Sequence, residues 1–178
     1  MDDQNFSKIS NLEKKILNEL LKNCRRNLDE IGKKCGCSRY KVAKVMKKLD
    51  KNNTILGYSA IINPIKINLK LFVLLVKRSS LPLDEDIIKR IPTILETVFK
   101  PHVDITIIDT LYVHGTFDWI ITFSTEDISI AKEFCNKCYK YFSKYLDSLE
   151  LLEIVVPFRI RGLPVAPPEG MKELTKIL

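Results

Sequence analysis

The chain has 178 residues, 46% hydrophobic and 29% charged, a balance that suits one or two small domains with real cores. No apolar run approaches the ~18 residues of a membrane span, and the acidic start MDDQNFSK has no signal-peptide character. Cytoplasmic residence with no membrane partner is therefore expected.

The net charge of +7 is unevenly placed. Residues 1–58 hold fourteen Lys/Arg against seven Asp/Glu, while residues 59–178 hold fifteen of each. A basic segment joined to a neutral one points to a nucleic-acid module followed by a module with another task. The five cysteines, Cys24, Cys35, Cys37, Cys135 and Cys138, are odd in number and describe no disulfide framework. Cys35-x-Cys37 and Cys135-x-x-Cys138 have thiolate-site spacing but fall in different predicted domains, the second pair on a predicted helix. Free thiols, and no metal or cofactor, are the expectation.

In chain order, Leu12, Ile16, Leu17, Leu20 and Leu21 make an amphipathic helix from about Asn11 to Asn23, with Ser10 as its cap. Asn27 caps a short second helix whose apolar side is Leu28, Ile31 and Cys35, and Gly36 ends it. Ser38 opens a third helix to Lys51, with Val42, Val45, Met46 and Leu49 on one stripe. Its other face carries Arg39, Lys41, Lys44, Lys47, Lys48 and Lys51, and Asn53 suits a left-handed end. Two helices, a glycine-containing turn and a basic helix spell a helix-turn-helix. Tyr58–Asn63 then reads as a linking strand, or the start of a wing, ended by Pro64.

Farther on, Leu69–Lys77 is apolar without alternation, as in a strand buried on both faces. Asp84–Lys100 is helical with Pro92 inside it, a proline expected to kink or split the helix. Val103–Val113 and Asp118–Ser124 are β-rich runs joined by His114-Gly115-Thr116-Phe117. Ser129–Leu146 is helical, and Leu151–Ile160 is the last strand. The order is β-α-β-β-α-β, the ferredoxin-like split. Apolar residues stand on both parities of Leu71–Val76 and Trp119–Phe123, so a second layer must cover the open sheet face; a homodimer built sheet against sheet supplies it. Met171–Leu178 reads as a short terminal helix.

On Leu12, Lys15, Ile16, Leu17, Ile31, Gly36, Ser38, Val42, Leu49, Ile55, Gly57 and Tyr58, the front of the chain resembles the DNA-binding half of the Lrp/AsnC transcription regulators. The run Tyr112–Ser124, with Gly115 and Asp118, resembles the glycine-x-x-aspartate hairpin of that family's effector module. The resemblance implies an α+β protein: a (winged) helix-turn-helix domain at 1–57, a linker strand at 58–68, a ferredoxin-like βαββαβ effector and dimerisation domain at 69–161, and a tail at 162–178. It implies binding to double-stranded DNA, self-assembly as a dimer, tetramer or octamer, and a small effector such as an amino acid.

Ser38, Arg39, Tyr40, Lys41, Lys44, Lys47 and Lys48 are the candidate DNA contacts, joined by Lys33 and Lys34. Arg39 and Tyr40 are read as reaching base edges and the lysines as contacting phosphates. His114, Gly115, Thr116, Phe117 and Asp118 are the candidate effector contacts, with Asp118 facing an ammonium group and the loop N–H groups a carboxylate. No arginine or lysine partner for that carboxylate is evident beside the hairpin in the sequence. Two other readings stand beside the regulator. One is an architectural protein that coats DNA with little preference, since lysines outnumber arginines twenty-two to seven. The other is an enzyme similar to the siroheme decarboxylases, for which His102 and His114 alone are too few; no catalytic constellation is visible.

Overall fold

Ser10, Asn27 and Ser38 each accept a backbone N–H from the residue three positions on, and each starts a helix. The computed structural model, which describes residues 9–94 and 104–165, forms α1 (Asn11–Lys22), α2 (Leu28–Cys35) and α3 (Arg39–Lys51) there. Ile16, Leu20, Ile31, Cys35, Val42, Val45 and Leu49 meet in one core. Leu21, expected in that stripe, is 82% exposed. At roughly 100° per residue it falls about 100° beyond Leu20, whereas Glu13 falls only about 20° beyond it and is buried. Gly36 closes α2 at φ 71, and Asn53 follows α3 at φ 56, a left-handed turn its side chain tolerates.

The chain divides into two compact units at Ala60/Ile61. The strand expected at Tyr58–Asn63, and with it the wing, is not formed. An extended segment needs a neighbour for its N–H and C=O groups, and this stretch has no ladder partner among the described residues. A 3-10 turn at Pro64–Ile67 follows, with Pro64 at its start where the missing N–H does no harm.

The second unit runs β1 (Lys70–Arg78), α4 (Glu85–Ile94), β2 (Thr106–Tyr112), β3 (Trp119–Thr125), α5 (Ile128–Phe142) and β4 (Leu146–Ile154). The strands form one antiparallel sheet in the order β2-β3-β1-β4, which is the ferredoxin-like arrangement. The last strand starts at Leu146 rather than Leu151, because α5 gives way to a 3-10 turn at Ser143–Tyr145 that leads straight into the sheet. Pro92 lies within α4, which runs from Glu85 to Ile94 without being split there. The rest of that expected helix, His102, Val103 and the expected terminal helix at Met171–Leu178 lie outside the described residues.

Phe72, Leu74, Val76, Trp119, Ile121 and Phe123 point to the helix side and pack on Ala131, Phe134, Cys138 and Phe142 of α5, with Phe123 and Phe134 edge to face at 4.9 Å. The opposite face is also apolar. Leu71, Val73, Leu75 and Ile120 are half-buried there, and Leu111 and Leu152 are about half exposed. Val73 sits at its centre, across from Thr122 on one side and Leu152 on the other. After β4, a small hairpin of β5 (Arg159–Ile160) and β6 (Leu163–Pro164) turns at Arg161 and Gly162, φ 46 and 84. Arg161 Nη2 donates to the Ile108 carbonyl at 3.3 Å, where the β2 register slips. Among the described residues no helix is long and apolar enough to cross a membrane.

Candidate nucleic-acid interface and effector hairpin

The turn between α2 and α3 is set by backbone contact. Cys37 N–H donates to the Gly32 carbonyl at 2.9 Å, and a Cβ on Gly32 would stand 2.5 Å from the Cys37 carbonyl oxygen. Only glycine lets α2 approach the start of α3 this closely. Gly32→Ala should destabilise the chain by about 1–3 kcal/mol, read as a lower urea midpoint at unchanged slope. An unshifted midpoint would show that the turn yields freely.

With Val42, Val45 and Leu49 buried, the exposed side of α3 follows from the helical period. Tyr40, Lys41, Lys44, Lys47, Lys48 and Lys51 share it, and Tyr40, 78% exposed, stands among the lysines. Arg39 lies roughly 100° round from Tyr40. Its Nη1 is 3.5 Å from Asp29 of α2, so it flanks this face instead of centring it. Ser38 is engaged as the N-cap, accepting Lys41 N–H at 3.3 Å. Two expected phosphate contacts are also engaged: Lys48 with Glu13 at 2.7 Å, and Lys34 with Glu19 at 3.4 Å. Lys33, Lys41, Lys44, Lys47 and Lys51 form no ion pair with any described residue, which leaves their charges available to an outside anion.

Glu13 is the structural acid of this unit. Its carboxylate accepts from Lys48 Nζ at 2.7 Å and from Ser10 N–H at 2.7 Å, completing a capping box. The hydrogen bond from Lys48, then those from Ser10, lower its pKa from 4.5 to about 2. The folded value lies below the unfolded one, so the stabilisation is complete above pH 4.5 and is lost as pH falls toward 2. Glu13→Gln should therefore lag the native chain in urea midpoint at neutral pH, with the gap closing across that interval. A gap independent of pH would contradict the assignment.

In the second unit, Val113 N–H donates to the Asp118 carbonyl at 2.8 Å and closes the His114–Phe117 loop. His114, Gly115 and Thr116 are exposed and Phe117 half-buried. Nothing lies within 4 Å of a Cβ built on Gly115, so packing does not demand glycine there. Asp118 differs from expectation. Its Oδ2 accepts Arg78 N–H at 2.8 Å and lies 3.8 Å from Lys77 Nζ, so the carboxylate already ties the hairpin to the end of β1. The same pairing corrects the expectation that no cation stands near the loop. Arg78 reaches the Tyr112 hydroxyl with Nη1 at 3.2 Å, and the Tyr112 ring lies edge-on to His114 at 6.4 Å. A separation of forty positions between Arg78 and Asp118 hid this from the sequence.

No protein-family model matches the chain. A curated relative, the uncharacterized HTH-type transcriptional regulator PH0045 of Pyrococcus horikoshii, is 39% identical over 56 residues, 32% of this chain and 36% of that protein. The chain thus matches about a third of that relative's length. Among solved structures, PH0061 superposes with a TM-score of 0.70 at 19% identity, covering 86% of this chain and 97% of that one. The AsnC family transcriptional regulator of Agrobacterium tumefaciens gives 0.65 at 17%, covering 91% and 99%. This chain has the Lrp/AsnC fold. A third structure of that fold, the transcriptional regulator NMB0573 of Neisseria meningitidis in complex with L-Met, gives 0.64 at 15%, covering 87% and 96%.

Within the Lrp/AsnC fold of this chain, each candidate site lies inside one unit. Cys35 is buried in the first core and Cys138 in the second, and burial pushes both thiols above their ordinary pKa. Among the described residues no group of three or more His, Cys, Asp or Glu is placed to hold a metal ion.

Proposed function

We propose that the chain is a cytoplasmic, dimeric, sequence-specific DNA-binding transcriptional regulator of the Lrp/AsnC family, modulated by a small effector at the His114–Asp118 hairpin. The observation that carries this reading is the exposed face of α3, where unpaired lysines surround a bare tyrosine on a helix-turn-helix. Lys41, Lys44, Lys47 and Lys51 contact phosphates. Tyr40 meets a base edge, where its ring suits a thymine methyl. Arg39, anchored on Asp29, reads at the flank. Dimerisation covers the apolar sheet face around Val73 and presents two recognition helices to two half-sites.

The test is selection of bound duplexes from a random pool by the native chain and by Tyr40→Ala. The native chain enriches a two-fold related motif, and Tyr40→Ala relaxes one position of each half-site with its salt dependence unchanged. Equal weakening on every sequence would remove Tyr40 from base reading. A second reading, DNA coating, is favoured by the predominance of lysine on α3 and by the side-on placement of Arg39. Comparable affinity for enriched and random duplex at about 200 mM salt would select it over the first.

A further inference from the structure

Arg39 stands where helix electrostatics alone would not put it. It is the first residue of α3, whose opening turn holds no acid, so its cation faces the positive end of the helix dipole. Asp29, in the first turn of α2, offsets this: its Oδ2 lies 3.5 Å from Arg39 Nη1. The backbone delivers the contact. Gly32, three positions on from Asp29 and so on the same side of α2, stands close enough to α3 that a Cβ there would come within 3.4 Å of Arg39 N. The two side chains nevertheless stay open, Arg39 69% and Asp29 58% exposed, so a DNA surface can reach both. An ion pair this exposed adds little to stability. Its effect falls on Arg39 itself, a side chain rich in rotamers, which the pair restricts.

Asp29 is the sole charged partner of Arg39 among the described residues, and it faces Nη1. The Nε–Nη2 edge is left for a planar pair of acceptors, and guanine O6 and N7 form that pair in the major groove. We propose that Asp29 is a positioning residue that aims Arg39 at a guanine on the flank of each half-site, beside the base met by Tyr40. The inference rests on the regulator reading and adds to it the base read at the flank and the residue that sets the preference. Asp29 also suits the positive end of α2, but that role concerns stability and confers no base preference. A carboxylate that only repelled phosphates would weaken binding to all DNA alike, and its removal would tighten every duplex equally.

Duplexes bound by the full chain are selected from a random pool, and affinities are then measured on the enriched motif and on the same motif with its flanking guanine replaced by adenine. The native chain prefers guanine about tenfold or more, and Asp29→Asn cuts that preference to about threefold or less with the salt slope unchanged. Arg39→Ala abolishes the preference, and Asp29→Asn added to Arg39→Ala changes it no further, because Asp29 acts only through Arg39. The readout is a ratio of two affinities on one preparation, which a loss of stability does not move. Equal tightening on every duplex, an unchanged preference in Asp29→Asn, or a guanine preference that survives Arg39→Ala overturns the assignment. An enriched two-fold motif without a flanking guanine defeats this inference alone; a native chain that binds no duplex defeats the regulator reading, and this inference with it.

Discussion

If the open sheet face is the proposed dimer interface, Val73→Lys should leave a monomer of 20.6 kDa in sedimentation equilibrium, while the native chain should run at about twice that mass. The side chain sits at the centre of the open sheet face, with Leu71 and Leu75 beside it on β1 and Thr122 and Leu152 across from it. In the monomer the lysine ammonium reaches water and the fold is undisturbed, because the residues of the helix-side core, Phe72 and Leu74, point the other way. In a dimer built on this face each ammonium would be buried against apolar side chains without a partner, which several kcal/mol of lost apolar burial would accompany. Affinity for a two-half-site duplex then falls roughly a hundredfold or more, since the second helix is no longer tethered to the first. A variant that stays dimeric would move the interface elsewhere.

The second large effect is electrostatic. Replacing Lys44 and Lys47 with alanine removes two cations of the exposed α3 face that no described acid neutralises. The slope of log affinity against log salt should drop by about two units per protomer, and affinity for all sequences should fall together. Lys48→Ala gives a different result. Its ammonium is 2.7 Å from Glu13, so the variant loses stability first, and its salt slope changes less than that of Lys44→Ala. Identical slopes for Lys44→Ala and Lys48→Ala would contradict the division drawn here between outward and inward lysines.

How far the sequence carries the structure depends on the range of each interaction. Caps act over three residues, so Ser10, Asn27 and Ser38 are legible, as are Gly36 and Asn53 with their left-handed turns. The βαββαβ order follows from periodicity and turn residues alone. What fails is whatever needs a partner. Tyr58–Asn63 has strand composition, yet without a ladder partner it forms no strand. Gly32 looks like an ordinary helical residue until the Cys37 carbonyl is brought beside it. Glu13, a charged residue on an apolar stripe, is buried because Lys48 lies across from it, thirty-five positions away.

The candidate sites show the same division. The cationic face of α3 is visible in the sequence because a helix sorts its residues by angle. That Arg39 leans on Asp29 is not visible, since it depends on how α2 meets α3. The hairpin loop was legible from Gly115 and Asp118, but the position of Lys77 and Arg78 beside it follows from the pairing of β1 with β3. Asp118 shows what residue type alone leaves out: a carboxylate in a loop suggests a ligand contact, and the structure adds that it fastens the hairpin to the end of β1.

Sedimentation of the native chain with and without a labelled duplex in dilute buffer tests the central claim most directly. The account predicts a particle near twice 20.6 kDa that moves with the duplex and releases it as salt is raised. A single 20.6 kDa species that sediments apart from the duplex at every salt concentration would contradict it.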